Sequence, residues 1–256
     1  MTTFSGLHHV EHVMGMAVSI DVRDHIDAGA IDEIVAWLHH VDETFSTYRI
    51  DSPISRLGLG ELTLDDVSDE ICEVLLLCEA LQEDTGGAFD ALAVPAPNGS
   101  MLDPSGVVKG WSIEHAAELL VARGARNLCI NAGGDVAVRG EPRPGEPWRI
   151  GVRHPEHADL SAAVLRASGR LAVATSATYE RGAHIIDPAT GEATAEVASV
   201  TIVGPDLTFA DAYATAVFVM GIDGLTWLHT KHPDYGGLVI THDGETLSTP
   251  VLDRYR

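Results

Sequence analysis

Apolar residues at Ile31, Ile34, Val35, Leu38, Val41 and Phe45 recur at the three-and-four spacing of one helical face, which predicts an amphipathic helix through this stretch. A second stripe, Ile71, Val74, Leu75, Cys78 and Leu81, predicts another, started by Ser68 and Asp69 and broken near Gly86-Gly87. An opening strand is expected around residues 14–22, and the polar residues 46–62, with Pro53 among them, read as a connection. Ile113, Ala116, Ala117 and Leu120 mark a third helix, stopped by Gly124. Strand-like runs follow at 128–131, 136–139, 149–152, 163–165, 171–175 and 197–203, most of them bounded by Gly, Pro or polar turns. A helix over 209–220 comes next. Residues 237–247 predict a hairpin, because Asp243-Gly244 supplies the positive φ values of a tight two-residue turn.

Long helices interspersed with clustered strands predict an α+β (mixed α/β) fold, with largely antiparallel sheets and flanking helices. The turn-rich crossing at 94–100 suggests two closely associated subdomains inside one domain of residues 1–256, with the boundary near 94–102. A dinucleotide-binding βαβ unit is excluded. Asn131-Ala132-Gly133-Gly134-Asp135 lacks the glycine spacing of that fingerprint, and it joins two strands where the fingerprint would open a helix.

Composition narrows the function. The chain has 256 residues, 45% of them apolar, enough to bury a sizeable core. Its 16 basic against 38 acidic residues give a net charge of −22, which disfavours binding to nucleic acid or to anionic lipid. Cys72, Cys78 and Cys129 have neither the density nor the spacing of a disulfide framework or a zinc site, so they read as thiols in a reducing compartment. The opening residues lack the pattern of a secretory signal, and no run approaches the ~20 apolar residues of a membrane span. A cytoplasmic protein without a membrane anchor is expected.

Four segments place carboxylate, hydroxyl or glycine where packing alone would not ask for them. Thr85-Gly86-Gly87-Ala88-Phe89-Asp90, taken by itself, reads as a structural turn. Residues 102–110 carry Lys109 into a helix start, where unpaired N–H groups suit a phosphate; a capped helix with a solvated lysine explains the same residues. His184 abuts the apolar pair Ile185-Ile186 and precedes Asp187, the setting of a general base near neutral pH or of a satisfied structural histidine. Asp211 and Thr215 stand four apart on one helical face, so both oxygens can reach one hard cation such as Mg²⁺; a cap and a backbone-bonded hydroxyl is the plainer reading.

In their order along the chain these segments resemble the FAD:protein FMN transferase family, often called ApbE. Met14-Gly15 is similar to the family's Met-Gly-Thr opening, and Phe45-Ser46-Thr47-Tyr48-Arg49 with Ser52, Ser55 and Leu57 to its Ser-x-Tyr…Asp-Ser segment. Gly86 to Asp90 resembles its Gly-x-Phe-Asp, Asp103 to Gly110 its Asp-x-(Ser/Gly)-(Ala/Gly)-x-x-Lys-Gly, and Asn131 to Asp135 its Asn-x-Gly-Gly-Asp. His184 to Pro188 resembles its His-Ile-Ile-Asp-Pro, and Ala210 to Thr215 its Ala-Asp-x-x-(Ala/Ser)-Thr. Met16, Gly58, Ala177 and Thr178 depart from the family pattern.

The resemblance implies a Mg²⁺-dependent enzyme that cleaves FAD, attaches FMN through a phosphodiester to a threonine or serine of a partner protein, and releases AMP. It implies an FAD cleft between the subdomains, lined by Met14, Tyr48, Ala88, Phe89, Asp90, Asp103, Lys109, His184 and Ile185. It also implies a metal held by Asp211, Thr215 and the carbonyl of Gly106, with His184 and Asp211 as the catalytic pair and His184 as the base. Two rivals use the same residues: an FAD pyrophosphatase with water as nucleophile, and a non-catalytic FAD-binding protein.

Overall fold

The computed structural model describes residues 6–157, 159–178, 185–194 and 196–256. Its centre is an eight-stranded sheet in the order β1 (Leu7–Val13), β2 (Met16–Val22), β3 (Leu128–Ala132), β4 (Asp135–Arg139), β7 (Leu171–Ala177), β8 (Val197–Gly204), β9 (Gly236–Thr241), β10 (Thr246–Ser248). Every neighbouring pair is antiparallel. Between β4 and β7 the chain leaves to form a separate antiparallel hairpin of β5 (Trp148–Arg153) and β6 (Ser161–Ala167). The helices are α1 (Gly29–Phe45), α2 (Pro53–Gly58), α3 (Asp69–Asp84), α4 (Ser105–Ala122), α5 (Leu207–Met220) and α6 (Asp223–Lys231). None of the described helices is long and apolar enough to cross a membrane.

Side chains alternate across a strand, so one sheet can serve two cores. Ala137 of β4 joins the helices in one apolar cluster, while its neighbours Val136 and Val138 pack with Trp148, Ile150 and Leu165 in another beneath the β5–β6 hairpin. The helix-side cluster draws residues from both sides of the 94–102 crossing.

The structure corrects several expectations. The opening strand is a hairpin that starts at Leu7, turning at Met14-Gly15 with φ of 53° and 71°. Met14 is the one described non-glycine residue with positive φ, a conformation L side chains adopt at a cost. Residues 53–58, expected as connection, form α2, begun by Pro53 and capped where Ser52 Oγ accepts the Ser55 N–H. The helix after the crossing already begins at Ser105, so Lys109 is helical. α6 was not expected at all. In the β9–β10 hairpin only Gly244 has positive φ (84°), and Thr241 N bonds Glu245 O, so the connection is one residue longer than the expected two-residue turn. Tight two-residue turns with both φ positive occur instead at Met14-Gly15 and at Gly133-Gly134, the latter with φ of 60° and 104°.

Candidate functional site

One cavity of about 630 Å³ opens between the helices and the strand ends. The turns build much of its wall. Met14 and Gly15 come from the β1–β2 turn. Tyr48, 77% exposed, stands on the loop after α1, which Ser52 Oγ (2.8 Å) and Ser55 Oγ (3.3 Å) tie back by donating to Ser46 O. Thr85 shapes the next wall: its hydroxyl donates to Leu81 O and accepts the Phe89 N–H, turning the chain so that Ala88, Phe89 and Asp90 line the cavity.

The charged end of the cavity lies where α4 crosses α5. A Cβ on Gly110 would stand 2.4 Å from Leu207 O and 2.8 Å from Asp211 Cβ, so only glycine lets the two helices approach this closely. Across that joint the Gly110 N–H donates to Asp211 Oδ2 at 2.9 Å. Lys109 Nζ lies 2.6 Å from Asp135 Oδ2 and 3.4 Å from Asp211 Oδ1, bridging two buried carboxylates. Burial pushes the Asp211 carboxyl well above the usual carboxylate range; the Lys109 ammonium pulls it back, and the Asp135 charge adds to the rise. Asp135 is held from its other oxygen by the Thr175 N–H at 3.0 Å.

Thr215 lies one turn beyond Asp211 and lines the same cavity, its hydroxyl 3.4 Å from Ser176 Oγ of β7. Gly106, in the first turn of α4, lines it too; a Cβ there would meet the Phe89 ring at 3.0 Å. Among the described residues no group of three His, Cys, Asp or Glu side chains could hold a metal by itself. Asp211, Thr215 and Gly106, which offer a carboxylate, a hydroxyl and a backbone carbonyl, nonetheless line one cavity. That hard-oxygen set suits Mg²⁺, which commonly completes its shell with water and substrate phosphates. Two buried carboxylates share the lysine, and a bound cation would favour the ionised form of Asp211 against the burial that raises it.

Of the site residues expected from sequence, Met14, Tyr48, Ala88, Phe89, Asp90, Asp103, Gly106, Lys109, Ile185, Asp211 and Thr215 all line this cavity. His184 lies outside the described residues. The expectation placed Asp135 in the Asn-x-Gly-Gly-Asp motif but gave it no role at the site, and it gave none to Asp42 or Thr175, which line the cavity. The departures have local counterparts. Met16 lines the cavity, and its sulfur lies 3.2 Å from where a Cβ on Gly133 would stand; Ala177 also lines the cavity, and Gly58 lets α2 abut Ser100, whose Oγ lies 2.7 Å from where a Cβ would stand. Nothing in the structure explains Thr178.

The ApbE family profile matches residues 14–99 and 94–238. The FAD:protein FMN transferase of Vibrio cholerae is 35% identical over 129 residues, 47% of this chain and 39% of that protein. The protein of the same name from Rhodobacter capsulatus is 29% identical over 227 residues, 86% of this chain and 39% of that protein. The chain thus spans well under half the length of these two relatives. Among solved structures, flavin transferase ApbE from Vibrio cholerae aligns with a TM-score of 0.85 at 24% identity, covering 98% of this chain and 99% of that one. The ApbE protein from Thermotoga maritima aligns with a TM-score of 0.84 at 23% identity, covering 98% and 99%. These likenesses show a shared fold, and with the profile match over most of the sequence they establish that the chain belongs to the ApbE family.

Proposed function

We propose that this chain is a Mg²⁺-dependent flavin transferase that breaks the pyrophosphate of FAD, joins FMN through a phosphodiester to a threonine or serine of a second protein, and releases AMP. The observation that carries the reading is the convergence of widely separated motifs on one cavity, with Lys109 braced between Asp135 and Asp211 at its charged end. The name carried by the relatives, FAD:protein FMN transferase, points the same way. The cavity draws its walls from both sides of the 94–102 crossing, which supports an FAD cleft between two subdomains. The free thiols support a reducing, cytoplasmic setting.

In this reading Met14, Tyr48, Ala88, Phe89, Asp90, Asp103 and Ile185 enclose the flavin and its phosphates. Asp211, Thr215 and the Gly106 carbonyl would hold Mg²⁺, which when bound supplies positive charge to the pyrophosphate oxygens. Lys109, fixed by Asp135, adds a second positioned cation. His184 takes the proton from the acceptor hydroxyl; the acceptor oxygen forms its bond to the FMN phosphorus, the bridging P–O bond breaks, and its electron pair leaves with AMP.

Incubation of the protein with FAD, Mg²⁺ and a candidate acceptor domain tests this. AMP and FMN-modified acceptor should appear in equal amounts and both should vanish with a chelator. AMP with free FMN would make it a hydrolase, and bound FAD without AMP would make it a carrier.

A further inference from the structure

Lys109 of α4, Asp135 of β4 and Asp211 of α5 tie the charged end of the cavity together. The same three elements meet at a second ionic joint, none of whose residues lines the cavity. Glu114 of α4 and Arg139 of β4 are both buried and pair through Arg139 Nη2, while Glu114 Oε2 accepts the Leu207 N–H, the first of α5, at 2.9 Å. The signs are reversed between the two joints. In the cavity α4 supplies the cation and its neighbours the carboxylates; at the second joint α4 supplies the carboxylate, β4 the cation and α5 its positive N-terminal end.

Further side chains close this joint. Arg170, just before β7, reaches Glu114 at 2.7 Å, Glu118 at 3.0 Å and Asp206 at 3.5 Å, and its Nε donates to Pro205 O at 2.6 Å. Glu118 also meets Arg139 at 2.9 Å, and Asp206 Oδ1 accepts the Thr208 N–H at 2.9 Å. The first two N–H groups of α5 are thus both held by carboxylates, one of them from another helix. Burial pushes the Glu114 carboxyl up, and Arg139 and the Leu207 N–H pull it back. Taking two charges out of water costs about as much as their attraction returns, so a buried pair adds little net stability; what it can fix is register.

Leu207 links the two joints. Glu114 holds its N–H, and its carbonyl oxygen is the atom 2.4 Å from where a Cβ on Gly110 would stand. Asp211, which accepts the Gly110 N–H, follows one helical turn later. A shift of Leu207 against α4 therefore carries Asp211 away from Gly110 and Lys109.

We propose that Glu114 is a positioning residue: clasped by Arg139 and Arg170, it holds the first turn of α5 in the one register that brings Asp211 to Gly110 and Lys109. The consequence for turnover rests on the transferase reading; the consequence for the placement of Lys109 and Asp211 does not.

The test compares wild type with Glu114→Gln, which keeps an acceptor for the Leu207 N–H but discharges the clasp, and with Arg170→Ala, which removes a half-exposed arm and leaves the Arg139 pair. Lys109 and Lys231 are the chain's two lysines, so an amine reagent read by mass spectrometry, without FAD or metal, reports Lys109 against the exposed Lys231 as internal standard. Well below each melting temperature, both substitutions should raise the Lys109 to Lys231 labelling ratio severalfold, Glu114→Gln the more. Both should lower kcat for AMP release while moving the KM for FAD less, and for Glu114→Gln the drop in kcat should be about 10²-fold, the scale of an ångström's misplacement. A lower melting temperature with labelling and kcat unchanged would make the network a stability element only and overturn the proposal. If Glu114→Gln does not fold, Arg170→Ala decides by the same two readings. If wild type releases no AMP, the transferase reading falls, and the labelling ratio still decides whether Glu114 positions the lysine.

Discussion

Asp135 shows how much one buried carboxylate can organise. One oxygen accepts the Thr175 N–H and the other holds Lys109, so the lysine is aimed along the cavity wall instead of wandering on its flexible stem. Asp135→Asn keeps the acceptor for Thr175 and removes only the charge. It should leave the melting temperature and FAD affinity nearly unchanged and lower AMP release roughly 10²-fold, the scale for losing one preorganised electrostatic group; a rate within threefold of wild type would show that Lys109 needs no brace. The thiols are the opposite case, titratable groups kept out of use. Burial pushes Cys78 and Cys129 up to about 12. In native protein near pH 8 neither should react with a thiol reagent until the chain is unfolded. Their folded values are raised, so the stability they contribute is whole below about pH 9, their unfolded range, and is lost as pH climbs towards 12. Urea midpoints across that window should fall, and fall less for Cys129→Ala.

At the level of elements, the joint between α4 and α5 decides whether the charged groups meet. Gly110→Ala would normally favour a helix, since alanine loses less conformational entropy than glycine. Here the added methyl meets Leu207 O at 2.4 Å. The expected result is a loss of about 1–3 kcal/mol in a denaturant melt, the usual cost of overpacking, together with turnover, because the methyl also presses on Asp211. A gain in stability would mean the helices slide apart freely. The same elements show what could be read from sequence. α1 and α3 bury one stripe each, and their apolar spacing announced them. β1 hid because its inward-leaning positions include His9 and Glu11, which bond each other instead of presenting an apolar alternation. α2 is only six residues long, so it has no stripe; Ser52-Pro53 was its one signal. α6 follows α5 after the single break at Gly221, which reads as an end and not as a pause. The candidate site was legible because its residues fall in short ordered motifs. The bridge from Lys109 to Asp135 was not, since it pairs a helix with a strand far along the chain.

For the molecule as a whole, a charge of −22 opposes the approach of FAD, the anionic substrate proposed above. Screening weakens long-range repulsion while leaving contacts at the charged end of the cavity largely intact, since the Debye length shrinks from about 30 Å at 0.01 M salt to about 8 Å at 0.15 M. The KM for FAD should therefore fall severalfold over that range, measured by AMP release at fixed Mg²⁺; a rise would mean that the local cations already dominate the approach. The sheet itself has another consequence. Three of its seven neighbouring pairs, β1–β2, β3–β4 and β9–β10, are joined by short turns, whereas β2 and β3 are separated by residues 23–127, which hold four helices. Their pairing, Val18 to Ala132 and Ile20 to Ile130, must close that long loop before it gains a single bond. The β1–β2 hairpin can thus form by itself early, yet find its berth only after the helices have gathered. Substitutions such as Ile20→Val would then quicken unfolding and scarcely slow folding, so the lifetime of the native state is set at this seam.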